Sequence, residues 1–283
     1  MEISTVGVIG AGTMGNGIAQ VCAVAGYDVV MVDVSAEAVD RGVTTIAASL
    51  DRLVKKEKLG AAERDAALAR VRGTTRQADL AEVDLVIEAA TENEGLKLKI
   101  LAEIDALLKP AAIIATNTSS LSITKLAAAT ARPERFVGTH FFNPVPVMAL
   151  LELIRGLQTT DATLAAVQAF AERIGKKTIV AKNSPGFAVN RILCPMINEA
   201  VFALQEGLAS AADIDEGMKL GCNHPIGPLA LADLIGLDTM LAVMKMFYAG
   251  FNDPKYRPAP LLREMVDAGF LGRKSGRGFF DYR

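Results

Sequence analysis

The sequence predicts an α/β fold: a Rossmann-like, mostly parallel sheet domain followed by an all-helical C-terminal domain. Three observations predict it. Short apolar runs alternate with helical patterns up to about residue 183, as in a parallel sheet covered by crossover helices. A glycine turn, Gly10-Ala11-Gly12-Thr13-Met14-Gly15, stands between the first apolar run and the first helical pattern. Beyond residue 183 strand-like runs become scarce and helical patterns take over. At 283 residues the chain is long enough for two domains, expected at 1–183 and 184–283.

Each element follows in order. Residues 3–9 (ISTVGVI) read as a strand buried on both faces, since the apolar run is short and ends at glycine. Residues 14–25 carry a helical pattern, and Gly26-Tyr27-Asp28 turns the chain into a second strand, VVMVD, that ends at Asp33. A long helix is expected over 36–57, finishing in Lys55, Lys56 and Lys58, then a short helix at 61–69 and a small strand at 70–73. DLVIE at 84–88 is the next strand. The helix at 94–108 stops before Pro110, and AAIIA at 111–115 runs into Thr116-Asn117-Thr118-Ser119-Ser120. A helix at 122–129 and a strand at 135–140 lead into Phe141-Phe142-Asn143-Pro144-Val145-Pro146. That segment is a loop, because two closely spaced prolines lack ladder donors. LLELI at 150–154, a helix at 161–173 and a strand at 177–180 complete the sheet domain. The second domain reads as helices reaching about 205 and covering 211–219, 228–249 and 258–267. The tail GRKSGRGFFDYR reads as an ordered turn packed on that domain.

Composition excludes several classes. Lys plus Arg number 30 and Asp plus Glu 32, so a formal charge of -2 gives no chain-wide basic field for nucleic acid. With 51% hydrophobic and 22% charged residues, the chain can build a core and is not of disordered type. Its apolar runs fall short of the ~18 residues that mark a membrane span, and no secretory leader pattern is visible. No nucleic-acid or membrane partner is expected, and the expected location is cytoplasmic. Three cysteines without paired spacing describe neither a disulfide framework nor a zinc site, and no metal is expected. Two histidines leave only two candidates for imidazole chemistry.

The glycine turn has a specific context. It follows a strand, opens a helix and precedes an acid at the next strand end, within about 30 residues. Gly10 permits the tight turn, Gly12 lets backbone approach a pyrophosphate, and Gly15 lets helix pack on strand. Thr13 and Met14 begin the helix, whose unpaired amides and dipole favour phosphate. Asp33 suits the adenosine ribose hydroxyls and repels a 2′-phosphate, so NAD is favoured over NADP; Val34 and Ser35, not an arginine, follow it. A structural loop with ordinary glycines is the alternative. The segments Ala89-Ala90-Thr91-Glu92 and Asn117-Thr118-Ser119 share the carboxyl edge of the sheet, where ligands bind in such folds, and suit the nicotinamide half.

Hydride transfer between an alcohol and NAD needs one group to move the hydroxyl proton, and imidazole suits this near neutral pH. His140 ends a strand beside the cofactor edge. His224 lies in the turn-rich loop Gly221-Cys222-Asn223-His224-Pro225 and reads as shaping that loop. Glu152 is a carboxylate inside an apolar strand, which needs a partner unless it faces solvent; pairing with His140 supplies one. Ser119 and Asn190 are the neutral polar candidates for holding the substrate oxygen.

Several longer segments carry a resemblance. VGVIGAGTMGNGIAQ across the glycine turn, IEAATEN at 87–93, ATNTSSL at 115–121, GTHFFNPVPVMALLELI at 138–154, KNSPGFAVNRIL at 182–193 and HPIGPLALADLIGLD at 224–238 resemble the short-chain L-3-hydroxyacyl-CoA dehydrogenase family. Within it they are most similar to the stand-alone bacterial branch acting on 3-hydroxybutyryl-CoA. HFFNPVP and PGFxxNR are far more specific than the glycine loop. The resemblance implies reversible interconversion of (S)-3-hydroxyacyl-CoA and 3-oxoacyl-CoA, with His140 moving the C3 hydroxyl proton and Glu152 orienting it. It implies Ser119 and Asn190 around the C3 oxygen and thioester, and Asn143 in the substrate loop. It also implies NAD contacts from Asp33, Glu92, Lys97 and Asn117, and a CoA phosphate contact from Lys56. For Lys56 a solvated charge at a helix end is the plainer alternative. It further implies a homodimer formed through the helical domain.

One departure is Ala149, where many relatives carry lysine; the position is expected to be peripheral. Related β-hydroxyacid dehydrogenases share the glycine loop but use a catalytic lysine. The L-gulonate dehydrogenase and lambda-crystallin branch keeps much of the same pattern and stays open as an alternative, as does a non-enzymatic NAD-binding protein. The intact set of His140, Glu152, Ser119 and Asn190 speaks against the last.

Overall fold

The computed structural model describes residues 2–283 and divides into two compact units, the first ending at Asn183 and the second beginning at Ser184. The first unit is an eight-stranded sheet. Its strands are β1 (Thr5–Ile9), β2 (Asp28–Val32), β3 (Val71–Thr74), β4 (Leu85–Glu88), β5 (Ile113–Thr116), β6 (Phe136–Phe141), β7 (Leu150–Arg155) and β8 (Lys177–Lys182). They lie in the order β3-β2-β1-β4-β5-β6-β7-β8. Neighbours run parallel except β6 and β7, which are antiparallel. Because β2 lies on one side of β1 and β4 on the other, the winding reverses there, and a crevice forms outside the carboxyl ends of β1 and β4.

Helices α1 (Thr13–Val24), α2 (Ala36–Lys55), α3 (Ala61–Ala69), α4 (Glu94–Leu107), α5 (Ile123–Ala127) and α6 (Asp161–Arg173) connect the strands. Local chemistry sets their starts. The Ser35 hydroxyl accepts from Ala38 N at the head of α2, and Asn93 Oδ1 accepts from Leu96 N at the head of α4, each satisfying an amide the helix leaves open. In α2 the buried positions Val39, Gly42, Ile46 and Leu50 share one face. Burying Ile46 and Leu50 fully stabilises by roughly 1.5–3 kcal/mol each. Strand residues Val6, Val8, Ile87 and Ile113 join them in one core.

At the amino end of β4, Asp84 Oδ2 accepts from the Ser4 and Thr5 amides and hydroxyls, and Lys109 Nζ donates to Oδ1 at 2.7 Å. Burial works to raise this carboxyl's pKa, but Lys109 and the two amides outweigh it and hold it well below the usual carboxylate range.

The second unit packs α7 (Val189–Gln205), α8 (Ala211–Cys222), α9 (Pro228–Ile235), α10 (Leu237–Phe251) and α11 (Pro260–Asp267) around Ile197, Val201, Leu229, Met244 and Phe247. The single helix expected over 228–249 is two. Gly236, at φ +102°, breaks it, and Leu237 N turns away to donate to Leu271 O. The tail is held by buried Asp233, whose carboxylate accepts from Phe279 N, Phe280 N and the Tyr282 hydroxyl. Among the described residues no helix is long and apolar enough to cross a membrane.

Candidate active site and dinucleotide cleft

The cleft begins where β1 ends. Gly10, at φ +101°, donates its amide to Val32 O at 2.7 Å; a Cβ there would lie 2.7 Å from Ala89 O. A Cβ on Gly15 would sit 1.8 Å from Gly10 O, so only glycine lets α1 start against this turn. Gly12 is the N-cap of α1 and has nothing within 4 Å of where its Cβ would be. No side chain caps the helix, so the amides of its first turn, from Thr13 and Met14 on, are left for an anion.

Asp33 follows β2, with Oδ2 accepting from Ala11 N and Oδ1 from Val34 N, each at 2.7 Å. A carboxylate has about four acceptor positions, so two remain for ribose hydroxyls. A cavity of about 460 Å³ lies here, lined by Ala11, Gly12, Thr13, Asn16 and Asp33, with Ala38, Arg41, Gly42 and Thr45 from α2. The open space at Gly12, the uncapped helix start and the pinned acid fit the adenosine and pyrophosphate half of a dinucleotide. The α2 residues escaped the sequence reading. Their spacing puts them on one face of the helix, but which helix that face meets depends on packing.

The turns after β4 and β5 meet at Glu92. Its Oε1 accepts from Thr118 Oγ1 at 2.7 Å, Ser119 N at 2.9 Å, Ser120 Oγ at 2.9 Å and, at longer range, Ser119 Oγ at 3.2 Å. Asn117 Oδ1 accepts from Phe141 N at 2.9 Å, tying the β5 turn to the residue after His140. Lys97, expected as a cofactor contact, lies inside α4 with its side chain 1% exposed and ion-paired to Glu88. Glu88 also escaped the sequence reading, although an acid ending the apolar run DLVI was its signal.

The one antiparallel pairing in the sheet places His140 directly opposite Glu152, on the same face. His140 Nδ1 and Glu152 Oε2 are 2.9 Å apart. The carboxylate can only accept, so Nδ1 carries the proton of this bond. Both residues are buried, Glu152 fully. The Phe142 ring lies 4.5 Å from the imidazole, centroid to centroid.

The intervening loop is held from two sides. Lys176 Nζ donates to Val145 O and Met148 O at 2.6 Å each, and burial lowers this ammonium's pKa. Val145 packs so close to α1 that a Cβ on Gly17 would lie 2.9 Å from its own. Asn143 is exposed in this loop, before a cis Pro144.

Lys56 is the exposed C-cap of α2. In the second unit, Asn190 is the second residue of α7. The adjacent Arg191 guanidinium lies 3.9 Å from the Phe251 ring centre and 4.6 Å from that of Tyr256, which fixes the first turn. His224 follows the left-handed C-cap Asn223, and its amide donates to Met218 O. Among the described residues no three His, Cys, Asp or Glu side chains cluster as metal ligands.

Residues 5–184 match the family described as 3-hydroxyacyl-CoA dehydrogenase, NAD binding domain, and residues 186–282 match that family's C-terminal domain. A 3-hydroxybutyryl-CoA dehydrogenase of Bradyrhizobium diazoefficiens is 55% identical over 99% of this chain and 96% of its own length. The crystal structure of (S)-3-hydroxybutyryl-CoA dehydrogenase from Ralstonia eutropha superimposes with a TM-score of 0.98 at 68% identity, covering 100% of both chains. A diketoreductase acting on dicarbonyl compounds is 30% identical with a TM-score of 0.87, again over 100% of both chains.

Proposed function

From membership of the 3-hydroxyacyl-CoA dehydrogenase family, to which this chain belongs, we propose that it interconverts (S)-3-hydroxybutyryl-CoA and acetoacetyl-CoA using NAD. The observation that carries the reading is the buried His140–Glu152 pair, set opposite each other by strand register at the cofactor edge of the sheet.

When bound, NAD supplies the hydride acceptor in oxidation and the hydride donor in reduction. The chain's own groups handle the proton. With Nδ1 donating to Glu152, His140 uses Nε2. In oxidation it takes the C3 hydroxyl proton as the C3–H bond breaks; in reduction it returns that proton to the oxygen. Glu152 keeps the ring in the right tautomer and balances its charge when both nitrogens are protonated. Ser119 holds the C3 oxygen. Asn190 and Asn143 hold the acyl-CoA, and Lys56 meets a CoA phosphate. Gly10, Gly12, Thr13, Met14, Gly15, Asp33, Glu92 and Asn117 serve the cofactor, with buried Lys97 standing behind Glu92.

The first unit is then the NAD-binding domain, and the second, 184–283, serves substrate binding and dimerisation. Cytoplasmic residence accords with an acyl-CoA substrate.

The test is NADH oxidation with acetoacetyl-CoA, run beside free sugar acids and simple dicarbonyl compounds. Turnover on the thioester supports the reading; turnover only on the free acids, or only on dicarbonyls lacking CoA, sinks it.

A further inference from the structure

Glu88 and Lys97 form an ion pair with 0% and 1% of their side chains exposed. Two charges taken out of water are costly enough that an apolar pair of the same volume would hold the fold as well. The pair is also fully engaged. Glu88 Oε2 accepts from Lys97 Nζ and from Thr116 Oγ1, and Oε1 accepts from Ala90 N. On its other side the Lys97 ammonium lies 3.9 Å from Oε2 of Glu92, whose side chain is 43% exposed. The remaining oxygen of Glu92 collects the donors of residues 118–120 described above. A line of alternating charge therefore runs from the end of β4 to the turn that carries Ser119.

We propose that Glu88 is a positioning residue for Ser119, acting through Lys97 and Glu92. This rests on the reading that Ser119 meets the substrate's C3 oxygen. Glu88 is wholly buried and acts through its neighbour. With Glu88 charged, Lys97 is balanced from inside and holds Glu92 by one oxygen, leaving the other to the turn. With Glu88 neutral, Glu92 is the remaining carboxylate at the ammonium. The stronger pull draws it inward and away from its hydroxyl and amide donors. Ser119 donates to Glu92 through both its amide and its hydroxyl, so the place of its side chain beside the substrate oxygen depends on Glu92 staying where it is.

The experiment compares Glu88→Gln, Glu92→Gln and the double variant with the wild type. It measures steady-state kinetics with acetoacetyl-CoA and NADH, and amide hydrogen exchange without ligand. Glu88→Gln is expected to lower kcat about 10–100-fold, the scale of a small misplacement, with a smaller change in KM for the thioester. Exchange over residues 117–121 should quicken relative to β6. The double variant should be no slower than Glu92→Gln, since both changes act on one contact. Unchanged kcat, or losses that multiply with exchange at 117–121 unmoved, would make Glu88 a fold residue only and overturn the proposal.

If Glu88→Gln does not fold, Glu88→Asp keeps the charge but withdraws it from Lys97 by one methylene. It should likewise quicken exchange over 117–121 and lower kcat at saturating NADH, and wild-type values of both overturn the proposal equally. Exchange needs no substrate, so a wild type inactive on acetoacetyl-CoA would sink the function while the effect of Glu88 on the turn stayed measurable.

Discussion

His140→Gln keeps a hydrogen-bonding group opposite Glu152 and removes the one able to carry a proton. Its kcat is expected to fall about 10²–10⁴-fold while NADH affinity, read by fluorescence titration, holds. A variant with near-normal turnover would take His140 out of the acid–base role. Asp33 makes a second residue-scale prediction. Asp33→Ala should raise kcat/KM with NADPH relative to NADH, because the pinned carboxylate goes and Arg41 lines the same cavity. Adding Arg41→Ala should reverse part of that gain; an unmoved cofactor ratio in both variants would remove Asp33 from cofactor choice. Glu152 was legible in the sequence because a carboxylate among leucines needs a partner. Glu88 carried the same signal but lay at the end of its apolar run, where a solvated acid is ordinary. Arg41 gave no signal, since its nearness to Asp33 follows from how α2 lies on α1.

At the scale of elements, the alternation of apolar runs and helical patterns was enough to read every strand of the first unit. It did not show the break between α9 and α10, because Gly236 sits in a stretch apolar enough to continue as one helix. The break is a backbone event: φ of +102° there is disfavoured for any residue with a Cβ, and a Cβ would also meet Asp238 Oδ1 at 3.0 Å. Gly236→Ala is expected to destabilise by about 1–3 kcal/mol, measured from the denaturant midpoint. No loss of stability would mean that the turn tolerates a side chain. The Asp233 clasp on the tail was equally hidden. The sequence suggested an ordered, packed tail, but a side chain accepting two amides from residues some forty positions away leaves no local pattern.

For the whole molecule, the lowered pKa of Asp84 predicts how stability depends on pH. The folded value lies below the unfolded one of about 3.9, so its contribution is present above that value. It fades as pH falls through the unfolded value toward the folded one. The difference in unfolding free energy between wild type and Asp84→Asn should therefore be largest near neutrality and shrink as pH drops below about 4. A difference that stays constant across that range would rule out this linkage. Asp84 stands at the amino end of β4 and Glu88 at its carboxyl end, so acid loss through Asp84 is loss of the sheet rather than titration at the reacting groups. Sequence spacing could not show this, because Ser4, Thr5 and Lys109 reach Asp84 only once three separate segments are assembled.

The reversal of direction between β6 and β7 has a consequence for how the protein can change. His140 and Glu152 are brought together by backbone pairing, and the eight-residue span from Phe142 to Ala149 closes the hairpin. Residues added to or removed from that span leave the ladder, and so the proton-handling pair, where it is. One residue inserted within β6 between Gly138, which pairs with β5, and His140 would instead turn the imidazole to the opposite face of the sheet. On the roles proposed for Asn143 and His140, recognition of the substrate and transfer of the proton are thus written into adjacent stretches of chain, of which only one can change in length without moving the other.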